Sequence, residues 1–191
     1  MGLDTALVCI DLQEAILAGR GGADQPLVDQ AFEELLERVA RLQAAARACG
    51  VPVVHVQHDG AQGHRLDPAG PGWRFRREVA PQDGDRLVRK ESCDAFHATD
   101  LQEVLDELGA RRLLVAGCLT QYCVDTTCRR AVSLGFDVLL AADGHLNGGS
   151  AGLTFRQVID HHNEVLDDFE AGARSVQVLP VAGLVALLRR E

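Results

Sequence analysis

Short apolar runs alternate with longer amphipathic stretches along the chain, and that alternation predicts its elements. Ala6-Leu7-Val8-Cys9-Ile10 reads as a buried strand ending at Asp11. Pro26 suits a first helical turn, and Val28, Phe32, Leu35, Leu36, Val39 and Leu42 then recur at helical spacing until Gly50 and Pro52. Val53-Val54-His55-Val56 is a second strand. A Gly/Pro-rich loop from His58 to Gly84 follows, long enough to point to function. Leu87-Val88-Arg89, closed by Lys90, is a third strand. Thr99 and Gln102 have capping-box spacing for a helix ending near Gly109. Leu113-Leu114-Val115-Ala116 is a fourth strand. A helix capped by Thr120 runs to about Leu134, with Gly135 as its C-terminal stop. Val138-Leu139-Leu140-Ala141 is a fifth strand, Gly152 to about Phe169 a helix, Val176-Gln177-Val178-Leu179 a sixth strand, and Val181 to Arg190 a short terminal helix.

Strands that alternate with helices and are apolar throughout predict a parallel sheet covered on both faces. The expected fold is α/β: three layers, α/β/α, around a six-stranded, mainly parallel, Rossmann-like sheet of order 3-2-1-4-5-6. With no repeat or linker, residues 1–191 are expected to form one domain. Such sheets bind ligands beyond the carboxyl ends of their strands. Asp11, His58, Lys90, Gly117 and Asp143 all fall at or just past those ends.

Composition narrows the function. Apolar residues make up 47% of the 191 residues, enough for one sizeable core, and charged residues 25%. No run is long enough for a membrane span, and the N-terminus carries no basic patch, so a cytoplasmic protein is expected. The net charge of −9 argues against nucleic acid and anionic membranes as partners. It mildly favours neutral or cationic substrates. Of six cysteines, Cys9, Cys49 and Cys118 lie in or beside apolar runs and read as small buried hydrophobes. Without a secretory signal or a CxxC pair, neither disulfides nor a zinc site is expected from them.

Three residues at the sheet edge can carry chemistry. Asp11 reads as a loop anchor or N-cap, or as a general base. Lys90 reads as a solvated strand end or, turned into the cleft, as a charge that lowers a nearby thiol's pKa and steadies an oxyanion. Cys123, in the first turn of its expected helix, is either an inert buried thiol or one whose thiolate is favoured by the helix dipole and free N–H groups. Arg89 points opposite to Lys90 along the strand and should not share its role.

Taken together these residues resemble one family, the isochorismatase-like cysteine hydrolases, among them nicotinamidases, N-carbamoylsarcosine and ureidoacrylate amidases, streptothricin hydrolases and isochorismatases. The anchors are Leu7-Val8-Cys9-Ile10-Asp11-Leu12-Gln13; Lys90 with Ala95-Phe96-x-x-Thr99-x-Leu101; Gly117-x-x-Thr120-x-x-Cys123-Val124-x-x-Thr127; and His161-His162-Asn163. The resemblance implies a catalytic triad of Asp11, Lys90 and Cys123. It also implies a cis peptide joining Cys118 to Leu119, and an oxyanion hole from the Leu119 and Cys123 N–H groups. It implies a homo-oligomer, dimer or tetramer.

Two departures shape the expected activity. Nicotinamidases build a metal site on Asp-x-His with a later histidine. Here the segment reads Val54-His55-Val56-Gln57-His58-Asp59-Gly60, then His64, in the wrong order, so no metal and no cofactor are expected. Isochorismatases cleave a vinyl ether without a cysteine nucleophile, and Cys123 favours acyl transfer instead. The expectation is a metal-independent hydrolase that cleaves a C–N amide bond of a small molecule through a thioester. The alternatives are a metal-dependent nicotinamidase, a vinyl-ether hydrolase or a non-catalytic binding member of the fold. His58, Trp73, Phe96 and Tyr122 are the candidate substrate contacts, with Trp73 and Phe96 reading equally well as plugs. Asp143-Gly144-His145 reads as a turn, and His161 and His162 as helix residues with a subunit contact or a satisfied polar bond.

Overall fold

The computed structural model describes residues 4–190. Seven strands form one sheet: β1 (Thr5–Ile10), β2 (Val53–His58), β3 (Arg86–Lys90), β4 (Arg112–Cys118), β5 (Asp137–Leu146), β6 (Glu170–Ala171) and β7 (Arg174–Leu179). The helices are α1 (Gln25–Ala48), α2 (Leu101–Glu107), α3 (Asp125–Ser133), α4 (Phe155–Leu166) and α5 (Val181–Leu188). The spatial order is β3-β2-β1-β4-β5-β7-β6. The six expected strands keep their order and are parallel throughout. The addition is β6, a two-residue strand antiparallel to β7 at the sheet edge, too short to leave a period-2 signal in the sequence.

Alternate side chains of β1 divide the core. Leu7 and Cys9 pack with Phe32, Leu36 and Val39 of α1 and with Leu184 of α5 on one face. Ala6, Val8 and Ile10 pack with Leu101 and Leu105 of α2 and Ala131 of α3 on the other. That period-2 split is why β1 is apolar at every position. Among the described residues, no helix is long and apolar enough to cross a membrane.

Several local expectations change. Cys49 is exposed, because it caps the C-terminus of α1 instead of entering the core. No capping box forms at α2. Asp100 occupies the N-cap, the Thr99 hydroxyl donates back to Ala95 O at 2.6 Å, and the Gln102 amide turns to Asp106. A capping box does form at α4, between Thr154 and Gln157. Asp143-Gly144-His145 is not a turn. The register shift between Val115 and Gly117 lets β5 bulge and continue to Leu146. Within the bulge, Asp143 Oδ1 accepts the Val181 N–H at 2.7 Å and ties α5 to the sheet.

Candidate active site

The chain reverses its direction of travel across the sheet between β1 and β4, whose carboxyl ends lie side by side with Ile10 paired to Gly117. A crevice opens at such a switch point. Gly117 sits so close to the Ile10 backbone that no Cβ fits, and its φ of 139° suits only glycine. Asp11 leaves β1 through a left-handed conformation (φ 52°), which aspartate adopts more readily than most residues.

His58 ends β2 beside Lys90 at the end of β3. The Lys90 ammonium is fully buried, 2.7 Å from Asp11 Oδ2, 3.0 Å from Ser92 O, 3.2 Å from His58 Nδ1 and 3.3 Å from Cys123 Sγ. Burial opposes its charge, but Asp11 and then Cys123 outweigh that cost and hold Lys90 above the ordinary lysine range. Asp11 Oδ1 is buried and has no hydrogen-bond partner. Arg89 points the other way, to Asp59 at 2.7 Å and over the Trp73 ring.

Cys123 does not stand in an α-helix begun by Thr120. It lies in a single π-helical turn, Thr120–Val124, that precedes α3, with Leu119 at the N-cap. The Thr120 hydroxyl caps nothing, because a buried acceptor competes for it. That acceptor is His145 Nδ1, 2.9 Å away, while His145 Nε2 lies 2.9 Å from Asn163 Oδ1. Asn163 donates its own amide to Ala142 O at 3.0 Å, so its oxygen faces the histidine. The imidazole therefore carries its proton on Nε2 and accepts from Thr120. Burial pushes His145 down to about 4, so it is neutral. The Cys118–Leu119 peptide is cis. The Tyr122 and Val124 N–H groups close back on Leu119 O at 3.1 and 3.2 Å.

The surroundings of the thiol work against its charged form. Burial, and next the Asp11 carboxylate, push Cys123 well above the ordinary thiol range, and Lys90 offsets only part of this. Cys123 thus stands beside a carboxylate that disfavours its thiolate and a cation that favours it.

A cavity of about 270 Å³ opens onto Cys123 and Asp11. Ile16, Leu66 and Leu119 give it apolar walls, and His58 and half-exposed Tyr122 line it, as do Arg20 and Arg65. Trp73 and Phe96 do not. The Trp73 indole donates to Asp59 at 2.7 Å, and Phe96 stacks on Phe136 with ring centroids 6.0 Å apart. Both are fixing residues, because each ring is already spent on a protein partner.

The nicotinamidase-like metal set is not assembled. Asp59 is committed to Trp73 and Arg89, and His64 Nδ1 accepts the Leu66 N–H. Among the described residues, no group of three or more His, Cys, Asp and Glu side chains is placed to hold a metal ion. His162 bonds Val158 O within α4. Sequence reasoning missed Gln13, whose buried amide joins β1 to the long loop by bonds to His58 N, His58 O and Trp73 O at 2.9, 3.0 and 2.8 Å. It also missed the chain Thr120–His145–Asn163, whose members lie 25 and 18 residues apart.

A doubly wound sheet with a buried Asp–Lys–Cys cluster at its switch point is the arrangement that the resemblance implied. Residues 5–157 match the Isochorismatase domain. The chain belongs to the isochorismatase family of hydrolases. Streptothricin hydrolase of Streptomyces noursei is 37% identical over 140 residues, 73% of this chain and 49% of that protein. The chain thus spans about half the length of the streptothricin hydrolases it matches. Ureidoacrylate amidohydrolase RutB of Variovorax paradoxus is 30% identical over 179 residues, 78% of this chain and 71% of that protein. Among solved structures, an isochorismatase from Pseudomonas putida KT2440 superposes with a TM-score of 0.82 at 31% identity, covering 95% of this chain and 90% of that one. A cysteine hydrolase from Pseudomonas syringae pv. phaseolicola superposes at 0.84 with 21% identity, covering 98% and 93%, a likeness of fold.

Proposed function

We propose that the protein is a cysteine amidohydrolase, cleaving a C–N amide bond of a small molecule through a thioester on Cys123. The observation that carries this reading is the Lys90 ammonium, set between Asp11 Oδ2 at 2.7 Å and Cys123 Sγ at 3.3 Å in a buried pocket. Relatives whose names give hydrolysis of streptothricin and of a ureidoacrylate amide support it.

In this reading Asp11 Oδ1, buried without a partner, takes the thiol proton as sulfur attacks the amide carbon. Lys90 has three N–H donors facing four acceptors. The neutral thiol is the weakest of those acceptors, and its bond to Lys90 strengthens as negative charge grows on sulfur, the differential interaction that speeds a reaction. The Leu119 and Cys123 N–H groups receive the oxyanion. Collapse breaks the C–N bond, and Asp11 returns the proton to the departing amine. Asp11 then draws a proton from water, which attacks the thioester and releases the acid and the thiol. His58 and Tyr122 contact the substrate.

The test is ammonia release from a panel of carbamoyl compounds, ureides and simple amides, and ring opening of lactams, with Cys123→Ser as the control. Turnover by the parent and none by a folded Cys123→Ser supports the proposal. Undiminished turnover by Cys123→Ser overturns it.

A further inference from the structure

The charge of the cavity is opposite to that of the chain. Asp11 and Lys90 cancel each other there, and the histidine beside them, His58, is lowered by burial and by Lys90. Arg20 and Arg65 remain, in a chain whose net charge is −9. Among the described residues neither guanidinium has a carboxylate partner. Arg65 Nε is buried and bonds to nothing. Burial and the charge of Arg20 both press against the Arg65 cation.

The two arginines are held in place by their backbones. The Ala15 N–H donates to Gly72 O at 3.0 Å, and the Glu14 N–H to Arg74 O at 2.8 Å, joining the Arg20 loop to the long loop. Gly72 packs so tightly on the Arg65 carbonyl and on Ala15 that a Cβ there has no room. Like charges lining one cavity, one with an orphaned buried donor, are costly until an anion arrives. A guanidinium offers a planar fork matched to a carboxylate. The cavity volume lies near the lower end of the roughly 300–1,000 Å³ usual for ligand pockets, which calls for a small ligand.

We propose that the substrate is a small amide bearing a carboxylate, which docks on Arg20 and Arg65 while its amide carbonyl faces Cys123. This rests on the amidohydrolase reading and names its substrate class. It reverses the mild preference for neutral or cationic substrates inferred from net charge, because a recognised group feels the local cavity more than the whole-chain field.

The probes are succinamate, its methyl ester and 4-aminobutanamide, which differ mainly in the charge at the end remote from the amide. Succinamate is expected to have the highest kcat/KM, by about 10- to 100-fold, the range for a hydrogen bond to a charged group. Arg65→Gln should raise KM for succinamate by a similar factor with a smaller change in kcat, and Arg65→Lys should restore part of it. Arg20→Gln, at an exposed position, gives the same test without risk to folding. Hydrolysis of the ester or the amine as well as succinamate overturns the carboxylate assignment and leaves the amidohydrolase reading standing. Calorimetry of succinate with Cys123→Ser separates the other case. Succinate binding that weakens in Arg65→Gln, with no amide hydrolysed by the parent protein, supports the carboxylate subsite and removes the chemistry. No succinate binding together with no preference for succinamate overturns the inference.

Discussion

Lys90 Nζ and Asp11 Oδ2 lie 2.7 Å apart with both side chains fully buried. Removing either partner strands a charge without water, a loss of about 3–5 kcal/mol. Lys90→Met should therefore lower stability to urea by that amount. Adding Asp11→Leu should recover most of it, because two apolar groups leave no orphan. A double variant no more stable than Lys90→Met contradicts a coupled pair.

Asp11→Asn keeps an oxygen for Lys90 but removes the base. The expected loss is about 10²–10⁴-fold in kcat, with a fall in Tm as well, because the amide keeps a hydrogen bond to Lys90 but not its countercharge. Activity retained in Asp11→Asn would assign the proton transfer elsewhere.

The polar chain from Thr120 through His145 to Asn163 anchors the π-turn that carries Cys123. Asn163→Ala leaves the His145 N–H buried and unpaired, at a cost of about 1–3 kcal/mol. It should lower kcat as well as Tm, since the turn loses its anchor. Thr120→Val should act in the same direction. Normal kcat in both variants would show that the turn is held by other contacts.

His145 also predicts acid sensitivity. Its folded pKa of about 4 lies below the ordinary 6.5. Its contribution is complete above pH 6.5 and is lost as pH falls toward 4, because the unfolded chain takes up a proton that the native state refuses. The shift amounts to about 3 kcal/mol. Urea titrations from pH 7 to 4 should show that slope, and His145→Gln should flatten it. An unchanged slope in the variant assigns the acid sensitivity to other groups.

Trp73→Phe loses the indole bond to the Asp59 carboxylate, worth about 1.5–3 kcal/mol, and should leave KM nearly unchanged. Tyr122→Ala, at the cavity wall, should raise KM. The reverse pattern would return Trp73 to the substrate.

The alternation of apolar strands and amphipathic helices was enough to read the six parallel strands, but not the two-residue β6 at the edge. Asp11, Lys90 and Cys123 were legible because each stands at a strand end or beside one, where topology alone brings residues together. Arg20 and Arg65 were not. They lie in loops with no periodicity, and their meeting depends on backbone bonds such as Ala15 to Gly72. His145 was misread because a bulge extends β5 past the expected turn, and no local pattern marks a bulge with a distant partner for its side chain. The state of the thiol stayed open between two readings, because the position of Cys123 in a first turn says nothing of burial, the largest influence on its pKa.

The central claim is that Cys123 is acylated during turnover and that Asp11 is the base for that step. The direct measurement is the intact mass of the parent protein, quenched in acid during turnover of an amide that it hydrolyses, followed by peptide mapping. The account predicts an added acyl mass on the Cys123 peptide during turnover that is absent from Cys123→Ser and from Asp11→Asn. Turnover by the parent protein with no acyl mass ever trapped on Cys123, and undiminished turnover by Cys123→Ser, would contradict it.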